Sequence, residues 1–186
     1  MNLDICRLEA VAVGSLIAVQ FTLEGETSFL AYSKRAQITP VVSKGRYREL
    51  REDTMVAAIK QTPDILLGYD IVLTDTCLNP RAFAAADGGE VTLAEHVFSS
   101  YLAPEAGSNP ARTPFHLQLF AAQKDENGSD AGYLQLSFSA CTGCPASFSL
   151  SQGEFFLTTY TIQSRPFGAP TSMSIIRLSS LPFGRA

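Results

Sequence analysis

The stretch Phe115-His116-Leu117-Gln118-Leu119-Phe120-Ala121 decides the fold, because its side chains alternate one by one. In an extended chain Phe115, Leu117, Leu119 and Ala121 point one way, and His116, Gln118 and Phe120 the other. The same period returns at Tyr133 to Ala140, where Leu134, Leu136, Phe138 and Ala140 oppose Tyr133, Gln135, Ser137 and Ser139. A period of two with one apolar side marks a half-buried strand. Between the two runs lies a charged knot, Lys124-Asp125-Glu126-Asn127-Gly128-Ser129-Asp130, and its Asn127-Gly128 pair supplies the positive φ angles of a turn. The three segments together predict a β-hairpin with a long tip.

Outward from this hairpin, strands are expected at Asp4 to Val13, Ser15 to Leu23, Ala36 to Val42, Met55 to Gln61, Tyr69 to Asp75, Glu154 to Gln163 and Ser172 to Leu178. One short helix interrupts them. Asn79 can cap free N–H groups, Pro80 suits the first helical position, and Arg81 to Ala86 precede a stop at Asp87-Gly88-Gly89. A second, shorter-lived helical pattern runs from Leu93 to Leu102, against which stand Val91, Thr92, Val97 and the Ser99-Ser100 pair. Residues 103 to 114, with Pro104, Gly107, Pro110 and Pro114, read as one long connection. With no repeat and no linker, the expectation is a mainly β fold with one short α-helix, in a single domain over residues 1–186.

Charge narrows the function classes. Charged residues are 17% of the 186 where about 25% is usual. The net charge of -4 lacks the basic excess of a protein that grips nucleic acid phosphates. The longest apolar candidate for a membrane span, Leu8 to Phe21, is too short and contains Glu9 and Gln20. The start, Met1-Asn2-Leu3-Asp4, lacks the positive end of a secretory signal, so a mature chain made in the cytosol is expected. Seven of the 32 charges crowd into residues 44–53, Lys44-Gly45-Arg46-Tyr47-Arg48-Glu49-Leu50-Arg51-Glu52-Asp53. Residues 131–186 hold only Glu154, Arg165, Arg177 and Arg185 as charges, yet eight of the 18 aromatics. Two explanations fit that neutral third: an outer β-face of Ser, Thr and Gln, or a surface covered by neighbouring subunits.

Catalytic chemistry finds little footing. His96 and His116 have no partner at a recommending distance, and His116 falls on the polar side of its strand. No Gly-x-Ser-x-Gly elbow and no Ser-x-x-Lys spacing is present. Asp70 and Asp75 are an odd number of residues apart on one strand and so face opposite ways. Gly88-Gly89 follows a helix, the end whose dipole disfavours phosphate. Cys141-Thr142-Gly143-Cys144 remains open between packed thiols in a turn, a disulfide, and metal or redox work, with only Cys6, Cys77, His96 and His116 to complete a zinc site. The chain is expected to be no enzyme and to need no cofactor or metal.

Residues 68–89, Gly-Tyr-Asp-Ile-Val-Leu-Thr-Asp-Thr-Cys-Leu-Asn-Pro-Arg-Ala-Phe-Ala-Ala-Ala-Asp-Gly-Gly, bear a family likeness. A strand of the form Gly-Tyr-Asp-Ile-x-Leu-x-Asp and a short capped helix ending in Asp-Gly-Gly resembles the major tail tube proteins of long-tailed bacteriophages and phage-tail-like particles. The likeness extends over about Ile38 to Gly89, with the strand at Ala36 to Val42, the charged loop from Ser43 and the strand near Met55 in matching order. It implies a β-sandwich or half-barrel with one flanking helix, which completes a β-barrel lumen when six copies close into a ring. Rings would stack into a tube in the virion tail, assembled in the host cytoplasm, through which DNA passes without specific binding.

Implied partners are further copies of the chain, tail tip or baseplate and tail terminator proteins, and a tape-measure protein or sheath, with no membrane. Lys44, Arg46, Tyr47, Arg48, Glu49, Arg51, Glu52 and Asp53 are the residues expected to meet other subunits or rings, against the alternative of a solvated loop. The inner tube of a contractile bacteriocin or secretion-type injection system is the near alternative. From other classes, a carbohydrate-binding β-sandwich would lack the Trp that most often stacks on sugars, and a small thiol or zinc enzyme would need Cys141 and Cys144 to react or bind metal.

Overall fold

A computed structural model of the chain describes residues 12–23, 28–53, 55–95, 97–107, 112–125, 127–168 and 171–183. Among these residues thirteen strands and one helix follow in the order β1 (Ala12–Leu23), β2 (Ser28–Ala31), β3 (Arg35–Ser43), β4 (Tyr47–Glu52), β5 (Met55–Gln61), β6 (Ile65–Asp75), α1 (Pro80–Asp87), β7 (Glu90–Ala94), β8 (Val97–Leu102), β9 (Phe115–Lys124), β10 (Asp130–Gly143), β11 (Ser147–Ser149), β12 (Leu157–Ser164) and β13 (Met173–Leu178). Apart from Ala12 and Val13, the strand expected from Asp4 lies outside the described residues, as do Cys6, His96 and Glu126.

The hairpin read from the sequence is β9–β10, and it is the spine of the main sheet. Its turn is held by Asp125, whose Oδ1 accepts from the backbone N–H groups of Asn127 (2.9 Å) and Ser129 (2.8 Å). Gly128 takes the positive φ the turn requires, and Lys124 closes the tip with an ion pair to Asp130 at 2.6 Å. Alternation works as expected on the inner side, where Phe115, Leu117 and Leu119 are buried while His116 is exposed. Phe120, on the opposite side, is nonetheless fully buried, because Phe183 packs edge-on over its ring at 4.9 Å.

Nine strands form one antiparallel sheet in the order β2-β1-β9-β10-β12-β6-β3, with β13 on β10 and β11 on β12. Strand β10 divides one of its edges: Tyr133 to Phe138 pair with β13, and Cys141 to Gly143 pair with β12. The switch occurs at Ala140, which has φ 48° beside a register shift between Phe138 and Cys141. An extra residue of this kind kinks a strand and lets it leave one layer for another. The result is a β-sandwich with one flanking helix, not closed into a barrel. Val19, Phe21, Phe115, Leu117 and Phe138 from one half meet Ile71, Leu73, Tyr160 and Ile162 from the other in a single buried core.

Helix α1 forms where its signals stand. Asn79 Oδ1 accepts from the Ala82 N–H at 3.1 Å, while its Nδ2 donates to the Leu30 carbonyl at 3.1 Å, so one side chain both caps the helix and ties it to β2. Gly88 ends it in the left-handed conformation, donating to the Ala84 carbonyl. The buried side of α1 is Ala82, Phe83 and Ala86, and the small Ala86 lets the helix press on β10. At that contact Gly143 leaves no room for a Cβ, which would overlap the Ala86 backbone.

Two expectations need correction. Leu93 to Leu102 is no helix; it is the turn and strands of the β7–β8 hairpin, in which the β-branched Val97 and the aromatic Phe98 and Tyr101 suit extended backbone. The charged stretch from Ser43 is no loop either, since Tyr47–Glu52 is a strand paired with β5.

Candidate functional site

The β4–β5 hairpin is an arm. It continues β3 and β6, which pair from Arg35↔Thr74 to Ser43↔Ile65, beyond the edge of the sheet and toward Asp53. Its root is clamped. Asp64 Oδ1 accepts from the Gly45 N–H at 2.8 Å, Thr62 Oγ1 accepts from the Arg46 N–H at 2.7 Å, and the Thr62 N–H donates to the Arg46 carbonyl at 3.0 Å. Gly45 is required there because a Cβ would overlap the Thr62 carbonyl. These bonds fix the direction in which the arm leaves the body.

Among the described residues, none covers the arm on either face. The register places Tyr47, Glu49, Arg51, Val56 and Ile59 on one face and Arg48, Leu50, Met55, Ala58 and Lys60 on the other. Tyr47 is 55% exposed, Leu50 64%, Met55 73% and Ile59 59%. A lone two-stranded hairpin is marginal in water, and large apolar side chains left open on it mark a contact surface. On the first face the charges satisfy one another. Glu49 accepts from the Tyr47 hydroxyl (2.5 Å) and from Arg51 (2.8 Å), and these two bonds, the hydroxyl's first, hold its carboxyl below the ordinary range. On the second face Arg48 stands directly opposite Lys60, and like charges in that position repel.

A second exposed region surrounds α1. An apolar cavity of about 180 Å³ is lined by Leu78, Pro80, Phe83, Phe98, Tyr101 and Phe148, among others. Tyr101 donates to Asp87 and meets Phe83 edge-on at 4.7 Å, which fastens the inner face of β7–β8 to the helix. Leu150, Phe155 and Phe167 lie on the surface of the aromatic, charge-poor final third. Of the two explanations for that third, an exterior of Ser, Thr and Gln alone does not describe it.

Next to the cavity, Asp75 borders a groove of about 500 Å³ together with Tyr32, Cys77, Leu78, Arg81 and Phe98. The carboxylate is 2% exposed, paired in register with Thr158 and near the Tyr160 hydroxyl. Burial pushes Asp75 from its ordinary 3.8 up to about 6, offset only in part by the Ser33 hydroxyl. Among the described residues Asp75 Oδ1 and the Ser33, Thr158 and Tyr160 hydroxyls make no full hydrogen bond, so the nearby Ser33 hydroxyl offsets the burial only weakly. The folded protein therefore favours the protonated carboxyl. The stability this contributes is complete below about pH 4 and is lost as pH rises through about 6. Asp75→Asn is expected to be more stable than the parent by about 1–3 kcal/mol at pH 7.5 and nearly equal to it at pH 4. Urea unfolding at the two pH values checks this; a gain that does not depend on pH contradicts it.

The Cys-x-x-Cys turn holds two free thiols. Cys141 is buried under the sheet and its Sγ donates weakly to the Phe138 carbonyl at 3.6 Å, while Cys144 is half-buried and Cys77 exposed. Burial pushes the Cys141 thiol up to about 12, which leaves it almost wholly protonated at neutral pH and a poor nucleophile. Iodoacetamide is expected to label Cys77 at least about 100-fold faster than Cys141, which should react only on unfolding. Peptide mass spectrometry against time measures both. Asp70 and Asp75 face apart, and Asp70 is engaged by Arg165 Nη2 at 2.5 Å. Among the described residues, no three His, Cys, Asp or Glu side chains gather as a metal site.

Of the residues expected to meet other subunits, Lys44 and Arg46 lie at the root of the arm, Tyr47, Arg48, Glu49, Arg51 and Glu52 on β4, and Asp53 at its turn with φ 52°. Lys60, Leu50, Met55 and Ile59 complete the arm and were absent from that set. The signal available for them was the apolar run Met55 to Ile59, read only as a strand.

No protein-family model and no curated protein matches the chain. Among solved structures it is similar to the cryo-EM structure of the anti-feeding prophage cap, the AFP tube-terminating cap, with a TM-score of 0.48 and 12% identity over 93% of this chain and 99% of that chain.

Proposed function

We propose that the chain is a non-catalytic structural subunit of a phage-tail-like tube, a single tail-tube-like domain that assembles with copies of itself into hexameric rings. The observation that carries this reading is the clamped β4–β5 arm, whose two faces are open and expose large apolar side chains among their charges although its root is clamped. A rigid extension of this kind serves contact with another chain better than it serves the fold it leaves. Among the described residues the outer edges of β2 and β3, at the two ends of the main sheet, pair with no further strand, which supports the reading, because edges left open on a monomer invite pairing and are removed when neighbouring sheets meet. The likeness of residues 68–89 to tail tube proteins supplies the class. Completed rings would stack into a conduit for genome delivery in the virion tail, meeting tip, terminator, tape-measure or sheath components, and the -4 net charge suits passage of DNA without binding.

The inner tube of a contractile bacteriocin or injection system uses the same physics. The arm equally suits a ring that ends a tube. Sedimentation velocity over a rising concentration series tests self-association: growth from the 20.0 kDa chain to a discrete ring-sized species is expected. A single 20.0 kDa species at every concentration, with retention on a glycan array, would favour the carbohydrate-binding alternative.

A further inference from the structure

Among the described residues two hairpins stand outside the main sheet, and they are chemically opposite. Residues 44–60, which contain the arm, carry Lys44, Arg46, Arg48, Arg51 and Lys60 against Glu49, Glu52 and Asp53. Residues 82–107, which contain β7–β8, carry Asp87, Glu90, Glu95 and Glu105 and not one Lys or Arg.

Register separates the two faces of β7–β8. Val91 and Tyr101 are directly opposite each other, as are Leu93 and Phe98, and these turn toward the cavity and grooves around α1. Glu90 pairs with Leu102, Thr92 with Ser100 and Ala94 with Val97 on the other face, with Glu95 at the turn. That outer face leaves Val97 68% and Leu102 64% exposed, much like Leu50 and Met55 on the arm. Each surface is therefore a two-stranded ribbon with an open apolar centre; on the arm Arg48 and Lys60 put cations at the root end while Glu52 and Asp53 close the tip, and on β7–β8 both ends are acidic. Among the described residues neither Arg48 nor Lys60 makes an ion pair, and their mutual repulsion is relieved only when carboxylates approach them.

We propose that the arm of one copy lies across the outer face of the β7–β8 hairpin of the next copy, with Arg48 and Lys60 meeting Glu90 and Glu95, and Leu50 and Met55 covering Val97 and Leu102. The occupant is a second copy of this chain, and the contact is head-to-tail because the two surfaces differ. A head-to-tail contact repeats without saturating until it closes, so it builds rings or stacks and not an isolated dimer. The apolar centre supplies most of the attraction, and the charges fix partner and register. The inference rests on the self-association proposed above and names the surfaces that carry it.

Paired charge reversals test it. Arg48→Glu with Lys60→Glu, and separately Glu90→Lys with Glu95→Lys, are each expected to weaken self-association about 10-fold or more, and an equimolar mixture of the two variants should recover much of it. Because charge variants at an arm can misfold, the unaltered protein is tested as well. A zero-length carbodiimide cross-link on a mixture of light and ¹⁵N-labelled chains should join Lys60 to Glu90 or Glu95 in mixed-isotope peptides. If the parent associates but both reversals leave it unchanged and no such mixed peptide forms, this contact is overturned while self-association stands. A parent that never associates overturns both.

Discussion

Gly143→Ala is expected to be among the most damaging single substitutions in this protein, lowering stability by about 3 kcal/mol or more. The added methyl would overlap backbone atoms of Ala86 and not the end of a flexible side chain, so α1 must move as a body. The helix closes the core through Ala82, Phe83 and Ala86, and displacing it opens the contacts of Phe83 with Tyr101 and Tyr160. For a chain of this size the loss corresponds to a fall in Tm of roughly 6–12 °C. Gly128→Ala is the control. Its φ of 79° is strained for alanine, but nothing lies near the new methyl, so about 1 kcal/mol is expected. Equal effects at the two sites would show that α1 is not seated against β10 as described.

The second large effect falls on assembly and spares the fold. Leu50→Asp combined with Met55→Asp places two carboxylates on the open face of the arm, where both side chains now touch solvent. Unfolding free energy is expected to change by no more than about 0.5 kcal/mol, as for other exposed positions. Self-association should fall by at least about 100-fold, because burying two unpaired carboxylates in an apolar contact is costly. Thermal unfolding and sedimentation of the same sample measure the two quantities together. A variant that loses stability in step with assembly would show the arm to be a part of the fold, and one that assembles normally would remove it from the interface.

The contrast between these positions explains which parts of the structure were readable. On the inner side of the β9–β10 hairpin Phe115, Leu117, Leu119 and Phe138 are buried at a period of two that is printed in the chain, and α1 carries its cap at Asn79 and its stop at Gly88. The arm buries neither face, so no alternation separates inside from outside and the density of charge reads as a loop. In β7–β8 a register shift between Thr92 and Leu93 sets Leu93 opposite Phe98, and this breaks the period of two in favour of a helix-like spacing. The cluster of Asp75, Ser33, Thr158 and Tyr160 is invisible for another reason. Its members come from β6, β12 and the segment before β3, and only tertiary pairing brings them together. Of the candidate site, the sequence displays the cations and hides the apolar side chains of β5 that give them a purpose.

The low overall charge gains a physical meaning from this arrangement. Charge gathers on the arm and at the β9–β10 tip, while broad neutral surfaces carry exposed Leu150, Phe155 and Phe167. Apolar surface of that extent is a liability on a solitary monomer and an asset in an assembly.

Negative-stain electron microscopy of the purified full-length protein at high concentration tests the central claim most directly. The account predicts six-fold rings and, with the arm intact, stacks of them forming hollow tubes. Fields of dispersed 20.0 kDa particles, without rings at any concentration, would contradict it.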